Sequence, residues 1–304
     1  MKKFIIPIIL AILIVLELVF MNPIKNFATD VINNRPELII LPKNEYYKDY
    51  DFLYVERSKD YIPYSIKDIR NIFFSVINNG WDEFTFYCPN EYEDCIKDVQ
   101  TISGNDTLLT NINNYTSPFN AFTSIETTYD DSGEVNIKLN KLYSKEQINI
   151  INKEVDRIIK ELITDNMNNE TKIRTIHDYI INNTYYDKVR NDTGNSTYAS
   201  NTAYGALIEH QAICSGYADA MELFLNKFNI KNYKIASKTH VWNALYLDNN
   251  WYHLDLTWDD PVSERGPILD HKYFLVNNDE LTKADGNNID THIFDKTIYL
   301  EFNN

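Results

Sequence analysis

The sequence predicts an α+β protein, and three observations carry that prediction. A helix starts at Cys214, because Met221, Phe224, Leu225 and Phe228 recur on one helical face. Two β-rich runs, 238–247 and 251–257, are joined by Asp248-Asn249-Asn250 and read as an antiparallel hairpin. Upstream, helical periods at 65–79 and 91–102 accompany a strand at 83–87 and a hairpin of 123–129 with 134–141 around Asp130-Asp131-Ser132-Gly133. The chain has 304 residues, 44% hydrophobic and 13% aromatic, which fits a folded protein with one main domain and a smaller companion.

Each segment has a place in that scheme. Lys2 and Lys3 precede an apolar run, 4–21, interrupted by Pro7 and Glu17, so residues 1–22 are expected to be a signal anchor or a signal peptide. No small-x-small cleavage site follows closely, which favours an uncleaved anchor. The positive-inside tendency then puts the rest of the chain outside the cytoplasm, membrane-anchored, or secreted if the segment is removed. Residues 23–60 read as a tether with Pro23, Pro36 and Pro42, and 61–143 as a small mixed α/β domain without clustered chemistry. Ser144 stands three residues before Gln147 in a capping-box arrangement, ahead of a linking helix over 144–165. Residues 166–304 form the expected catalytic domain, with a helix from 170 to 181 in which His177 packs, and a surface loop over 187–200.

Composition narrows the function. A net charge of −15 repels phosphate backbones, so nucleic acid is set aside as a partner. The three cysteines, Cys88, Cys95 and Cys214, show no zinc spacing, and no cofactor or metal is expected. Cys88 and Cys95 are a candidate pair outside the cytosol, with three reduced thiols as the other reading. The Asn-x-Thr triplets follow from abundant Asn and carry no glycosylation argument.

The chemistry-bearing set is Cys214, His240 and Asp255. A thiol at a helix N-terminus sees the positive end of the helix dipole and unpaired amides, both of which favour the thiolate. If Asp248 and Asn249 are the two turn residues of the hairpin, Leu247 faces Asn250, His240 lies opposite Thr257, and Asp255 lies opposite Trp242. His240 and Asp255 then share one sheet face as diagonal neighbours, and a three-residue loop would separate them. That supplies a nucleophile, a general base and a carboxylate that orients the base. Trp242 and Trp258 are core packing or walls of an acyl tunnel. In this register Asn243 points to the opposite face, where a structural hydrogen bond is expected. Asp259-Asp260-Pro261 reads as a turn. A metal site of Cys214, His240 and His253 is the least favoured reading.

Cys214-Ser215-Gly216-Tyr217-Ala218, His240-Val241-Trp242-Asn243 and the run Trp251-Tyr252-His253-Leu254-Asp255-Leu256-Thr257-Trp258-Asp259-Asp260-Pro261 resemble the signature blocks of the bacterial transglutaminase-like superfamily. The resemblance extends over about 168–280, through Ile176-His177-Asp178-Tyr179, Tyr204-Gly205-Ala206-Leu207 and Tyr273-Phe274-Leu275-Val276. It implies a papain-like core with a Cys-His-Asp triad at Cys214, His240 and Asp255, with Gln211 as an oxyanion candidate and Trp242 and backbone amides as alternatives. The resulting expectation is a thiol acyl enzyme outside the cytoplasm, acting on protein or peptide amide bonds, wall- or surface-associated substrates included. Hydrolysis by a peptidase or deamidase is placed ahead of cross-linking. The competing class is a non-catalytic cell-surface binding module on the same fold.

Overall fold

The computed structural model describes residues 38–261, 268–286 and 291–303. The apolar run over 4–21, read as a membrane anchor, lies outside the described residues. Among the described residues no helix is long and apolar enough to cross a membrane. The expected localisation, a membrane-anchored or exported protein, is corrected accordingly and not retained.

Residues Leu41–Asn304 form one compact unit. Its first layer holds α1 (Ile66–Asn78), whose N-terminus Ser65 caps by accepting from the Asp68 amide. Three antiparallel strands follow, β1 (Glu83–Tyr87), β2 (Phe122–Tyr129) and β3 (Glu134–Lys141), in the order β1-β3-β2. Between β1 and β2 lie α2 (Cys95–Ser103) and α3 (Asp106–Asn113), the latter not anticipated. Cys88 and Cys95 are joined as a disulfide, leaving Cys214 as the free thiol. The helix α4 (Lys145–Leu162) starts with the expected capping box of Ser144 and Gln147, and buries Ile151, Val155 and Ile158.

The second layer carries the chemistry. It comprises α5 (Asn169–Asn183), the two-residue parallel pair β4 (Tyr185–Tyr186) and β5 (Gln211–Ala212), and α7 (Cys214–Lys227). The sheet of β6 (Asn232–Ala236), β7 (Val241–Leu247) and β8 (Asn250–Leu254) is antiparallel in that order, and α8 (Asn278–Asp285) follows. A short helix, α6 (Lys188–Thr193), interrupts the stretch read as loop over 187–200. Asp187 caps it, accepting from the Arg190 amide.

The hairpin register is the one read from the sequence: Leu247 pairs with Asn250 and Asn243 with Leu254. Asp248 and Asn249 both have left-handed backbone, φ 48° and 67°, which suits a tight two-residue turn matching the strand twist. Asn tolerates that region and β-branched residues do not. Asn249→Val is therefore expected to lower folding stability by about 1–2 kcal/mol in urea titration, and Asn249→Gly to lower it not at all.

Two expectations about organisation change. The segment 41–60, read as tether, packs onto the body: Phe52 and Val55 are buried, and Lys48 Nζ reaches Glu222 Oε1 of α7 at 2.6 Å and the Asn232 carbonyl at 3.0 Å. The Lys234 ammonium pairs with Asp219, whose other oxygen accepts from the Tyr143 hydroxyl at 2.7 Å. Lys48, Asp219, Glu222 and Lys234 thus form a buried four-charge network. The region expected as a separate domain, 61–143, is likewise tied in, since Tyr115 donates to the Ile298 carbonyl at 2.7 Å and Asn114 Nδ2 to the Tyr299 hydroxyl at 3.1 Å.

Candidate active site

Cys214 is the first residue of α7, and extended Ile213 precedes it without a side-chain cap. The approach of the preceding loop to this helix start depends on Gly216. A Cβ there would lie 2.4 Å from the Ser200 carbonyl oxygen and 3.0 Å from that of Thr202, contacts that backbone cannot relieve. The Ile213 amide donates to the Ser200 carbonyl at 2.8 Å and Ser215 Oγ to the Asn201 carbonyl at 3.1 Å, which fixes the turn into the helix. Cys214 itself is half-buried.

His240 does not lie within a strand. β6 and β7 pair through Ala236 and Val241, so Ser237 to His240 is a tight turn. The Ser237 amide donates to the His240 carbonyl at 2.9 Å, and the His240 amide to Ser237 Oγ at 3.1 Å. The run read as strand to residue 257 also stops early, at Leu254. Asp255 ends it by accepting from the amides of Thr257 and Trp258 on Oδ1, at 2.9 and 3.2 Å. Both residues sit where the hairpin opens, held by turns that their own neighbours cap.

The ring nitrogen Nε2 of His240 lies 2.5 Å from Asp255 Oδ2. Cys214 lies beside the ring and contributes to its electrostatics. With Nε2 engaged by the carboxylate, Nδ1 is the nitrogen left for the thiol. Burial opposes the charged ring, but the Asp255 charge and hydrogen bond, with Cys214 beside them, outweigh it and raise the His240 pKa to about 10. For Asp255, which is 1% exposed, burial pushes upward. The charge and hydrogen bond of His240 and the hydrogen bond of His292 win, and hold the carboxyl well below the usual carboxylate range. The arrangement can therefore store a proton on the imidazole beside a thiol.

The other expected site residues fall into distinct roles. Trp242 is buried and stacks on His240, centroids 5.7 Å apart at 15°, while its indole N–H donates to His253 Nδ1 at 3.0 Å. That N–H is engaged inside the protein. Trp258 stands edge-on to His240 at 6.5 Å and packs on Tyr273. Gln211 lies in β5 beside Tyr185, and among the described residues its side chain makes no hydrogen bond to Cys214, His240 or Asp255. Asn243 donates to the Ala218 carbonyl of α7 at 2.9 Å, from the opposite sheet face as expected.

His253 is not part of a metal set with Cys214. It accepts from Trp242, its Nε2 faces Asn278 Oδ1 at 3.0 Å, and burial lowers its pKa to about 3, so it is a neutral packing residue. His177 is buried as expected, with Nε2 3.1 Å from Asp259 Oδ2 and its ring stacked on His271. Two sets of side chains among the described residues bring ligand-type atoms close together: His177, Asp178 and His271, and His240, Asp255 and His292. In each, the nitrogens already face the carboxylate at 2.5–2.9 Å.

Sequence reasoning missed three neighbours. His292 contacts Asp255 Oδ2 and Asp285 contacts His292 in turn, and no spacing rule links either to Asp255. Tyr186 lies close enough to Cys214 to be affected by it: burial, then the Cys214 charge, raises its pKa to about 12. Its hydroxyl donates to Asn191 Oδ1 at 3.2 Å, on the short helix that was read as loop.

Asp260 provides a check on the buried electrostatics. Its Oδ2 accepts from the Tyr217 hydroxyl at 2.6 Å, and burial raises its pKa to about 6 despite that bond. A folded-state value above the unfolded one means that folding takes up a proton, so this group costs stability as pH rises through about 6. Asp260→Asn keeps an acceptor for Tyr217 and carries no charge. It is expected to stabilise the fold by about 1–2 kcal/mol at pH 8 and by nothing at pH 4, as read by urea titration, nearby solvent screening part of the shift.

Comparison with known proteins agrees with this geometry in class. Residues 156–256 match the model of the transglutaminase-like superfamily, a third of the chain. Among solved structures, one described as "Crystal structure of a TGase" is similar at 15% identity, with a TM-score of 0.32, covering 45% of this chain and 44% of that one. The chain thus spans less than half the length of that structure. No curated protein matches.

Proposed function

We propose that the protein is a thiol acyl enzyme that acts on carboxamide or peptide bonds of proteins or peptides, with Cys214 as nucleophile, His240 as acid and base, and Asp255 as the group that orients His240. The observation that carries this reading is the His240–Asp255 pair, closed at 2.5 Å, beside the free thiol at the start of α7. Cys214 Sγ forms a bond to the carbonyl carbon, and charge moves to the carbonyl oxygen near the amides of the α7 N-terminus. As the C–N bond breaks, His240 passes its proton from Nδ1 to the departing nitrogen, leaving a thioester. An incoming water or amine then gives a proton to His240, and the C–S bond breaks to restore Cys214. Throughout, Asp255 holds the Nε2 side of the ring and so keeps Nδ1 toward sulfur. Water needs no acceptor-binding site, so hydrolysis is the first reading and isopeptide formation the second.

Mass spectrometry of the wild type and Cys214→Ala with Gln- and Lys-containing peptides tests the proposal. Loss of ammonia with gain of water reports deamidation, shorter fragments report peptidase action, and a joined mass reports cross-linking, each absent with the variant. An unmodified peptide set, together with a wild-type thiol that reacts with iodoacetamide no faster than a model thiol, would overturn it in favour of a binding module.

A further inference from the structure

We propose that His292 and Asp285 form a rear arm of the site that holds Asp255 in place for His240, making His292 a positioning residue; this rests on the acyl-enzyme reading above. His292 Nε2 lies 2.9 Å from Asp255 Oδ2, the same oxygen that meets His240. Its Nδ1 lies 2.6 Å from Asp285 Oδ1 at the end of α8. Both ring nitrogens thus face carboxylate oxygens, which only accept, so the position calls for a donor on each side.

With His240 and His292 on Oδ2 and two backbone amides on Oδ1, every direction of the Asp255 carboxylate is occupied. The carboxylate cannot swing without breaking one of them. His292 is itself caged, 4.8 Å from Trp242, 5.6 Å from Trp258 and 5.2 Å from Tyr273 between ring centroids. The titratable groups facing it are Asp255, Asp285, His240, Tyr273 and, more distantly, His253. A cavity of about 300 Å³, lined by His292, Asp285, Asn278 and Phe294 among others, opens on this rear side. It gives a small molecule a route to the position of His292 that does not cross Cys214.

Iodoacetamide alkylation tests the arm without knowledge of the substrate, because Cys214 is the free thiol. In the wild type the rate should exceed that of a model thiol at neutral pH. His292→Ala should lower it about tenfold to a hundredfold and move the acid limb of its pH profile upward by about one unit, since a loosened Asp255 no longer keeps His240 cationic beside the thiol. Added imidazole, small enough for the rear cavity and offering two donors as imidazolium, should restore both rate and limb. Pyrrole, similar in size with one donor, should not. Should His292→Ala fail to fold, His292→Gln and Asp285→Asn carry the same rate and profile measurement. A folded variant with unchanged rate and profile, or equal rescue by pyrrole, overturns the rear arm. A slow wild type overturns the acyl-enzyme reading itself.

Discussion

Cys214→Ala is expected to abolish turnover of any amide substrate, by at least about 10³-fold, while leaving the thermal unfolding midpoint unchanged within a few degrees. The side chain is half-buried at a helix start and carries no cap or core contact on which the fold depends, so its loss removes chemistry and little else. Residual activity in such variants comes from binding and oxyanion donors, here the amides of α7, and remains small beside the nucleophile's contribution. Intact-mass detection of a trapped acyl adduct in the wild type, and none in the variant, is the measurement. An adduct retained in Cys214→Ala would place the nucleophile elsewhere.

The second large effect is expected at Asp255. Asp255→Asn keeps the shape and replaces an all-acceptor group by one whose amide turns donors toward donors. His240 Nε2, His292 Nε2 and two amides all face this carboxylate, and an amide oxygen cannot serve both sides. His240 would then lose both its counter-charge and its orientation, with a fall in kcat of about 10³- to 10⁴-fold and a smaller change in KM. Stability should fall too, by about 3–5 kcal/mol, because histidines buried beside a charge are left without it. Stopped-assay kinetics and urea titration at pH 7 measure the two effects. The stability loss should shrink below the acid range in which the wild-type carboxylate itself takes up a proton, since its folded-state pKa lies under the unfolded one.

Much of this site was readable from residue order, and the reasons are physical. The Asp248-Asn249 turn admits few geometries, so the register of β7 and β8 followed from two residues, but His240 and Asp255 meet beyond the end of that ladder, not on its face. The strand ends were not readable. Periodicity continues through residues 238–240 and 255–257, but Ser237 and Asp255 bond to their own local amides and turn the chain. β6 was hidden by Lys234, a charge in mid-strand that only its pairing with Asp219 makes tolerable. His292 was hidden by distance: it stands 37 residues from Asp255, and no local pattern spans that gap. The 41–60 segment misled in the same way, since polar residues such as Lys48 look solvated until a partner across the fold is known.

That buried lysine has a practical consequence for dissecting the molecule. A chain trimmed to begin at residue 61, or at the start of α4, would retain the whole Cys214–His240–Asp255 set and would look sufficient on paper. It would also lose the Lys48 ammonium that lies against Glu222 in the middle of the helix bearing Cys214. Glu222 would then face Lys234 at 4.0 Å as its remaining cation, one lysine shared between two buried acids. Such a fragment should express poorly or fold only under acid, and the shortest self-sufficient version of this protein must start upstream of Lys48.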